Sequence, residues 1–381
     1  MKKGILLSAA ALFVLAWPLS GLAAEEIKLG FHAPMTGWAA ADGQSALRGA
    51  QLAVKLINGA GGVNGRQIKF INYDDRIEAK EAVIVARKLI ESDKVAGVVS
   101  GSYSTPTRAA APIFDQAKVP YISTIGTHPE IPINRKYVFQ VAVMSEIHGK
   151  VGAKMAVEKL KAKTAVLLVM DNDFGRAVTD GFRKTAPALG IKMLKEYTYP
   201  LGEKDFRSLL SNIKKDNPDV LWASGYYEEA AQLVKQAKEL EVKATIIGQE
   251  GYDSPKFFEL GGDATNGVVI TTNLDRGSNR VMTKKFLAEY EKGYKVAADM
   301  VAASAFDGIM VMTHAFRSVG TDPDKVASNI SQLKNFEDVA TGPLLFFDND
   351  RRVLRPIPVQ IVKNKAFTSF YLCEDKELIK P

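Results

Sequence analysis

Cysteine is almost missing from this chain: Cys373 is its one copy among 381 residues. A lone cysteine excludes an internal disulfide framework, so stability must come from packing. Histidine is nearly as scarce. His32, His128, His148 and His314 are scattered, with no HExxH or Cys/His spacing, and neither a G-x-S-x-G elbow nor a Walker loop is present. No constellation for hydrolysis, zinc or nucleotide chemistry is left, and neither an enzyme activity nor a cofactor nor a metal is expected. Beyond residue 24 no apolar run is long enough to cross a bilayer. The formal charge of +7 is spread along stretches such as EKLKAK and KQAKELEVK, which interleave both signs. Without a basic stripe interleaved with aromatics, nucleic acid is not an expected partner.

What is present begins with an export pattern. Lys2 and Lys3 precede an apolar segment from Ile5 to Trp17, and a stretch ending in GLAA closes at residue 24. This reads as a cleavable secretory signal over 1–24, an uncleaved anchor being the alternative, and it places the mature chain in the periplasm. No cysteine follows the apolar run, which excludes the lipoprotein version of the signal.

From Ile27 onward, strand and helix patterns alternate. The spacing predicts strands at 27–33, 66–73, 95–99 and 120–123, with helices at 43–58, 79–91 and 107–117 between them. The rhythm restarts after VFQVAVMSEIHG, with strands at 164–170, 191–199, 220–223, 245–248 and 268–272 and helices at 175–189, 206–215 and 228–240. Two such runs predict an α/β protein of two doubly wound lobes with mainly parallel sheets. Helical patterns follow at 281–290, 301–318 and 324–333. The end, VLRPIPVQIVKNKAFTSFYL, reads as a hairpin turning at KNK. Late pieces of this kind complete sheets begun earlier, so the chain is expected to cross between lobes near 144, 273 and 352. The first lobe is then 25–144 with 274–352, and the second 145–273 with 353–381.

In open α/β sheets, ligands bind beyond the carboxyl ends of the strands. In VAGVVSGSYSTPTRAAAP a buried strand ends in hydroxyls before Pro106, which suits a first helical turn. Ser104 or Thr105 is expected to cap that helix, leaving amides and a partial positive charge facing the cleft. Thr127 and the amides of STIGT stand on the neighbouring loop, and together these groups can surround a carboxylate. On the second lobe one strand ends at Gly225 and Tyr226, and another at Gln249 and Glu250. Glu250 is either a solvated loop residue or an acceptor for a cation. An anion-seeking lobe opposite a cation acceptor fits a zwitterion, and a free α-amino acid is one.

At these residues the sequence resembles the periplasmic leucine/isoleucine/valine-binding proteins, the type I solute-binding proteins of branched-chain amino acid ABC importers. IKLGFHAPMTG, GQSALRGAQLAVKLINGAGGVNGRQIKFINYDD, STPTRAAAPIF, GEKDFRSLLSNIKKDNPDVLW, GYYEEAAQLVKQAKEL and GQEG carry the resemblance across nearly the whole mature chain. It implies a type I periplasmic-binding-protein fold with a multi-strand hinge, acting as a monomer that hands a free amino acid to the membrane permease. It puts Ser104, Thr127 and the 125–127 amides, Ile125 included, on the ligand carboxylate, and Tyr226 and Glu250 on its ammonium. Phe174 falls where the family usually has a Tyr. Asp42 falls where an aromatic is frequent, Trp38 where a Pro is common, and Tyr103 where some members have a disulfide cysteine. Asp42 either lines the pocket, which disfavours a purely aliphatic ligand, or caps the helix opening at Gly43. The expected ligand is a branched-chain amino acid; a polar or basic amino acid, an amide or a small carboxylate is the alternative, and a ligand-sensing subunit is the alternative role.

Overall fold

The computed structural model describes residues 25–380; the expected export signal lies outside the described residues. Five parallel strands form the first sheet: β1 (Ile27–Ala33), β2 (Ile68–Asp74), β3 (Gly97–Ser100), β4 (Tyr121–Ser123) and β5 (Val138–Gln140), in the order β2-β1-β3-β4-β5. The second sheet contains β6 (Thr164–Met170), β7 (Lys192–Tyr199), β8 (Val220–Ala223), β9 (Thr245–Gly248) and β10 (Val269–Thr271), all in parallel pairs. β6 is buried nearly throughout, as expected for a strand covered on both faces. At the sheet edge, β7 mixes exposed and partly covered residues and carries lysines, which discourage further strand pairing.

Three short strands, β11 (Lys334–Phe336), β12 (Leu344–Phe347) and β13 (Val353–Leu354), form a small antiparallel sheet of their own. This corrects the expectation that all late pieces extend an earlier sheet. The last two strands do extend one. β14 (Ile357–Lys363) pairs antiparallel with β10, and β15 (Ala366–Cys373) pairs with β14. Their hairpin turns at Asn364 and Lys365, both at positive φ (51° and 58°), as a two-residue type I′ turn requires.

Helices cover both sheets. They are α1 (Ala40–Gly59), α2 (Ala79–Arg87), α3 (Ser104–Gln116), α4 (Ser145–Glu158), α5 (Asp173–Ala188), α6 (Arg207–Asp216), α7 (Tyr227–Glu239), α8 (Pro255–Gly261), α9 (Val281–Tyr294), α10 (Met300–Val319) and α11 (Pro323–Ser331). Although late in the chain, α10 packs against α1 and on β3 and β4, so the first lobe is completed by a returning segment. α4 is buried on most sides, with Ile147, His148, Val151, Ala153, Met155 and Ala156 all inside. Glu146, Lys150, Lys154 and Glu158 form one narrow charged strip, and the rest of the helix circumference is apolar or small, so no single apolar stripe stands out to periodicity. No described helix is long and apolar enough to cross a membrane.

Close helix contacts rest on glycine. A Cβ on Gly49 would overlap the Ala302 carbonyl oxygen where α1 meets α10, and one on Gly181 would overlap the Glu146 carbonyl where α5 meets α4. Backbone cannot yield as a flexible side chain can, so Gly49→Ala is expected to cost about 3 kcal/mol of stability. Urea unfolding checks it; a loss under about 1 kcal/mol would show that the two helices are free to separate.

Candidate functional site: a closed cavity between two lobes

The carboxyl ends of the strands of both sheets face one small cavity. Asp42, Tyr103, Ser104, Ile125 and Thr127 line it from the first lobe, together with Met300 and Val301; Phe174, Tyr226, Glu250 and Gly251 line it from the second. The walls stand close together, leaving a free volume of only about 20 Å³. The first residues of α1, α3, α5 and α10 stand around it, so their unpaired amides bias it toward negative charge.

Ser104 is the first residue of α3 and does not cap it; the cap position is Tyr103, without a side-chain bond. The expected capping by Ser104 or Thr105 is therefore corrected. Instead the Ser104 hydroxyl accepts the Thr127 N–H at 3.2 Å, tying the two loops together. The Thr127 hydroxyl lies 2.5 Å from that of Ser145, the first residue of α4. Hydroxyls and amides thus converge at one end of the cavity without any arginine among its lining.

Glu250 sits at the other end, in a single turn of 3₁₀ helix that follows β9, and is 4% exposed. The reading of Glu250 as a solvated loop residue is excluded. Neither carboxyl oxygen has a hydrogen-bond partner. Burial pushes its pKa up to about 8, with nearby Asp253 adding to the shift. At neutral pH the Glu250 carboxyl is therefore mostly protonated.

Asp42 is the second buried acid. Helix α1 opens at Ala40 rather than Gly43, so Asp42 lies within its first turn and makes no cap. Tyr103 donates a 2.5 Å hydrogen bond to Oδ2, while Oδ1 is buried without a partner. Burial outweighs the stabilising hydroxyl and raises the Asp42 pKa to about 7. The carboxyl is therefore neutral over much of the ordinary pH range, which lowers the cost of placing apolar groups beside it.

Aromatic rings from both lobes close the cavity. Tyr226 stacks between Tyr103, with ring centroids 4.9 Å apart, and Phe174, at 5.2 Å. Trp38 packs on both tyrosines at 5.6 and 5.4 Å, but it stands at the outer mouth rather than on the cavity wall. Across the same seam, Arg108 pairs with Asp173 at 3.4 Å and the Tyr227 hydroxyl donates to the Trp38 carbonyl at 3.4 Å.

Of the nine residues singled out from the sequence, Ser104, Thr127, Ile125, Tyr226, Glu250, Phe174, Tyr103 and Asp42 come together on the cavity, and Trp38 guards its mouth. Met300 and Val301 were not foreseen, because they join the first-lobe wall from a helix about 170 residues beyond Thr127. Nor was His148, whose Nδ1 lies 3.3 Å behind Glu250 Oε2.

Two lobes closed over one cavity at their strand tips are the architecture of a solute-binding protein. The chain belongs to the periplasmic binding protein family, whose model matches residues 26–366. In particular, it is 31% identical to the leucine-, isoleucine-, valine-, threonine- and alanine-binding protein of Pseudomonas aeruginosa, over 88% of this chain and 90% of that one. It is 29% identical to a leucine-specific-binding protein of Salmonella typhimurium, covering 85% and 87%. Among solved structures, a leucine binding protein from Thermotoga maritima superposes with a TM-score of 0.85 at 28% identity, over 92% of this chain and 99% of that one. A branched-chain amino acid transporter substrate binding protein from Streptococcus pneumoniae, in complex with isoleucine, does so with 0.84 at 27%, covering 91% and 99%.

Proposed function

We propose that the protein captures a branched-chain aliphatic amino acid between its lobes and delivers it to an ABC importer in the inner membrane. The observation that carries this reading is the polarity of the cavity, with hydroxyls and amides at one end and the unpaired carboxyl of Glu250 at the other. The ligand carboxylate accepts from the Ser104 and Thr127 hydroxyls and from the 125–127 amides. Its ammonium donates to Glu250, beside the Tyr226 ring. The side chain rests on Tyr103, Phe174, Tyr226, Met300 and Val301, next to the neutral Asp42 carboxyl. Charge-assisted hydrogen bonds of about 1.5 to 3 kcal/mol each make both ends count, so neither lobe alone completes the site.

Closure follows from this division. The lobes, 25–144 with 274–352 and 145–273 with 353–381, rotate about three crossovers near 144, 273 and 352, and the closed pair presents one surface to the permease. The mature protein begins after residue 24 and acts as a periplasmic monomer, without nucleic acid.

A thermal-shift series tests the reading on the mature chain, stripped of carried-over ligand and refolded. At a hundredfold excess over its dissociation constant a ligand adds about 2.7 kcal/mol of stability. Leucine, isoleucine or valine is expected to stabilise the protein. Stabilisation only by basic, strongly polar or non-amino-acid compounds would keep the receptor role and overturn this ligand class.

A further inference from the structure

Behind the cation end of the cavity lies a second buried group with no described task. His148, on α4, is fully covered, and its Nδ1 lies 3.3 Å from Glu250 Oε2, a carboxyl itself only 3% exposed along its side chain. Neither ring nitrogen of His148 and neither oxygen of Glu250 has a hydrogen-bond partner. Four unpartnered polar atoms meeting in a dry interior are costly unless they have work to do.

Other charges around the pair are already compensated. Arg355 stands on the His148 side, 3.8 Å from the Asp307 carboxylate of α10, and donates to the Gly342 carbonyl at 2.8 Å. Asp253, one turn beyond Glu250, is held by two hydrogen bonds from Arg276 at 2.5 and 3.0 Å. Tyr226 faces Glu250 with a phenol whose pKa is raised by burial. Among the described residues around Glu250, His148 is the neutral base placed to take its proton.

We infer that His148 is the positioning residue and proton acceptor for Glu250, so that amino acid capture is neutral in protons. In the empty site the proton sits on Oε2 and points at Nδ1, while Nε2 keeps its own hydrogen. When the ligand ammonium reaches Oε1, the proton passes from Oε2 to Nδ1. The O–H bond breaks, an N–H bond forms, and the carboxylate lies between ammonium and imidazolium. With a zwitterionic ligand the filled site then has the same net charge as the empty one, the arrangement a low-dielectric interior favours. Burial and Arg355 lower the His148 pKa to about 3 in the empty site; the ammonium draws the proton off Glu250, and the negative charge left 3.3 Å from Nδ1 is what raises His148 enough to hold it.

The inference rests on the proposed role of Glu250 as ammonium acceptor, and calorimetry with L-leucine at pH 7, in two buffers of different ionisation enthalpy, separates the two. Wild type is expected to bind with a net proton count near zero. His148→Gln, which can donate to Oε2 but cannot accept its proton, is expected to keep affinity within about threefold at pH 8 while releasing close to one proton at pH 7. His148→Leu is expected to weaken binding at least tenfold at pH 7 and to release a proton as well. A wild-type count near one released proton, or an unchanged count in both variants, would overturn the role of His148. Unchanged leucine affinity in Glu250→Gln would instead remove the premise.

Discussion

Glu250→Gln is expected to make the empty protein more stable and nearly deaf to its ligand. An ordinary glutamate ionises near 4.5, and burial moves Glu250 to about 8. At pH 7 the unfolded chain has released a proton that the folded chain still holds, which costs the folded state roughly 3 kcal/mol. Glutamine carries no such cost. Its amide fits the same space, so the melting temperature should rise by a few degrees. The same change removes the negative partner of the ammonium, worth about 1.5 to 3 kcal/mol, and leucine should bind more than tenfold more weakly. Thermal melts with and without leucine check both halves. A melt that falls while binding stays intact would remove Glu250 from the site.

Stability of the empty wild type should fall between pH 6.5 and 8.5. Burial raises Asp42 to about 7, Glu250 to about 8, and both Asp299 and Asp307 to about 6. A carboxyl that holds its proton more tightly when folded favours the fold below its unfolded pKa, and that advantage is withdrawn as pH rises through the folded value. Below pH 6.5 the effect is opposed. His148, lowered to about 3, must gain a proton on unfolding there, as must His128 and His314, whose pKa values are also lowered. Above pH 6.5 the histidines no longer contribute and the two cavity carboxyls dominate, with an expected loss of about 2 kcal/mol. Urea midpoints at the two pH values decide it, and a flat or rising profile would show that these carboxyls are solvated.

Much of this was legible in the amino acids because burial on both faces writes strands as plain apolar runs. TAVLLVM and VLWA coincide with β6 and β8. Legibility failed where a residue's surroundings come from far along the chain. Helix α4 is buried all round except along one narrow charged strip, which leaves no apolar stripe to mark its period, and β11 to β13 are too short for a pattern. Asp42 has the look of a cap from its neighbours alone, yet its partner Tyr103 lies 61 residues away. The two ends of the cavity were readable because each sits just beyond a strand tip, where loop chemistry is exposed in the sequence. His148 carried no such signal, since a histidine within a buried helix is usually a core residue and only the fold sets it behind Glu250.

The placement of tryptophan has an optical consequence. The chain has three, and Trp17 falls in the leading segment that export would remove. Trp222 is walled into the core at 0% exposure, where its surroundings change little as the lobes part. Trp38 is 39% exposed and touches Tyr103 of its own lobe and Tyr226 of the other. One indole is thus sealed from solvent, while the other packs at a tilt against a tyrosine of each lobe and would gain water if the seam opened. Beyond residue 24 the chain carries one indole at the seam and a second sealed in the core, so its intrinsic emission is expected to report the state of the cleft without an attached dye.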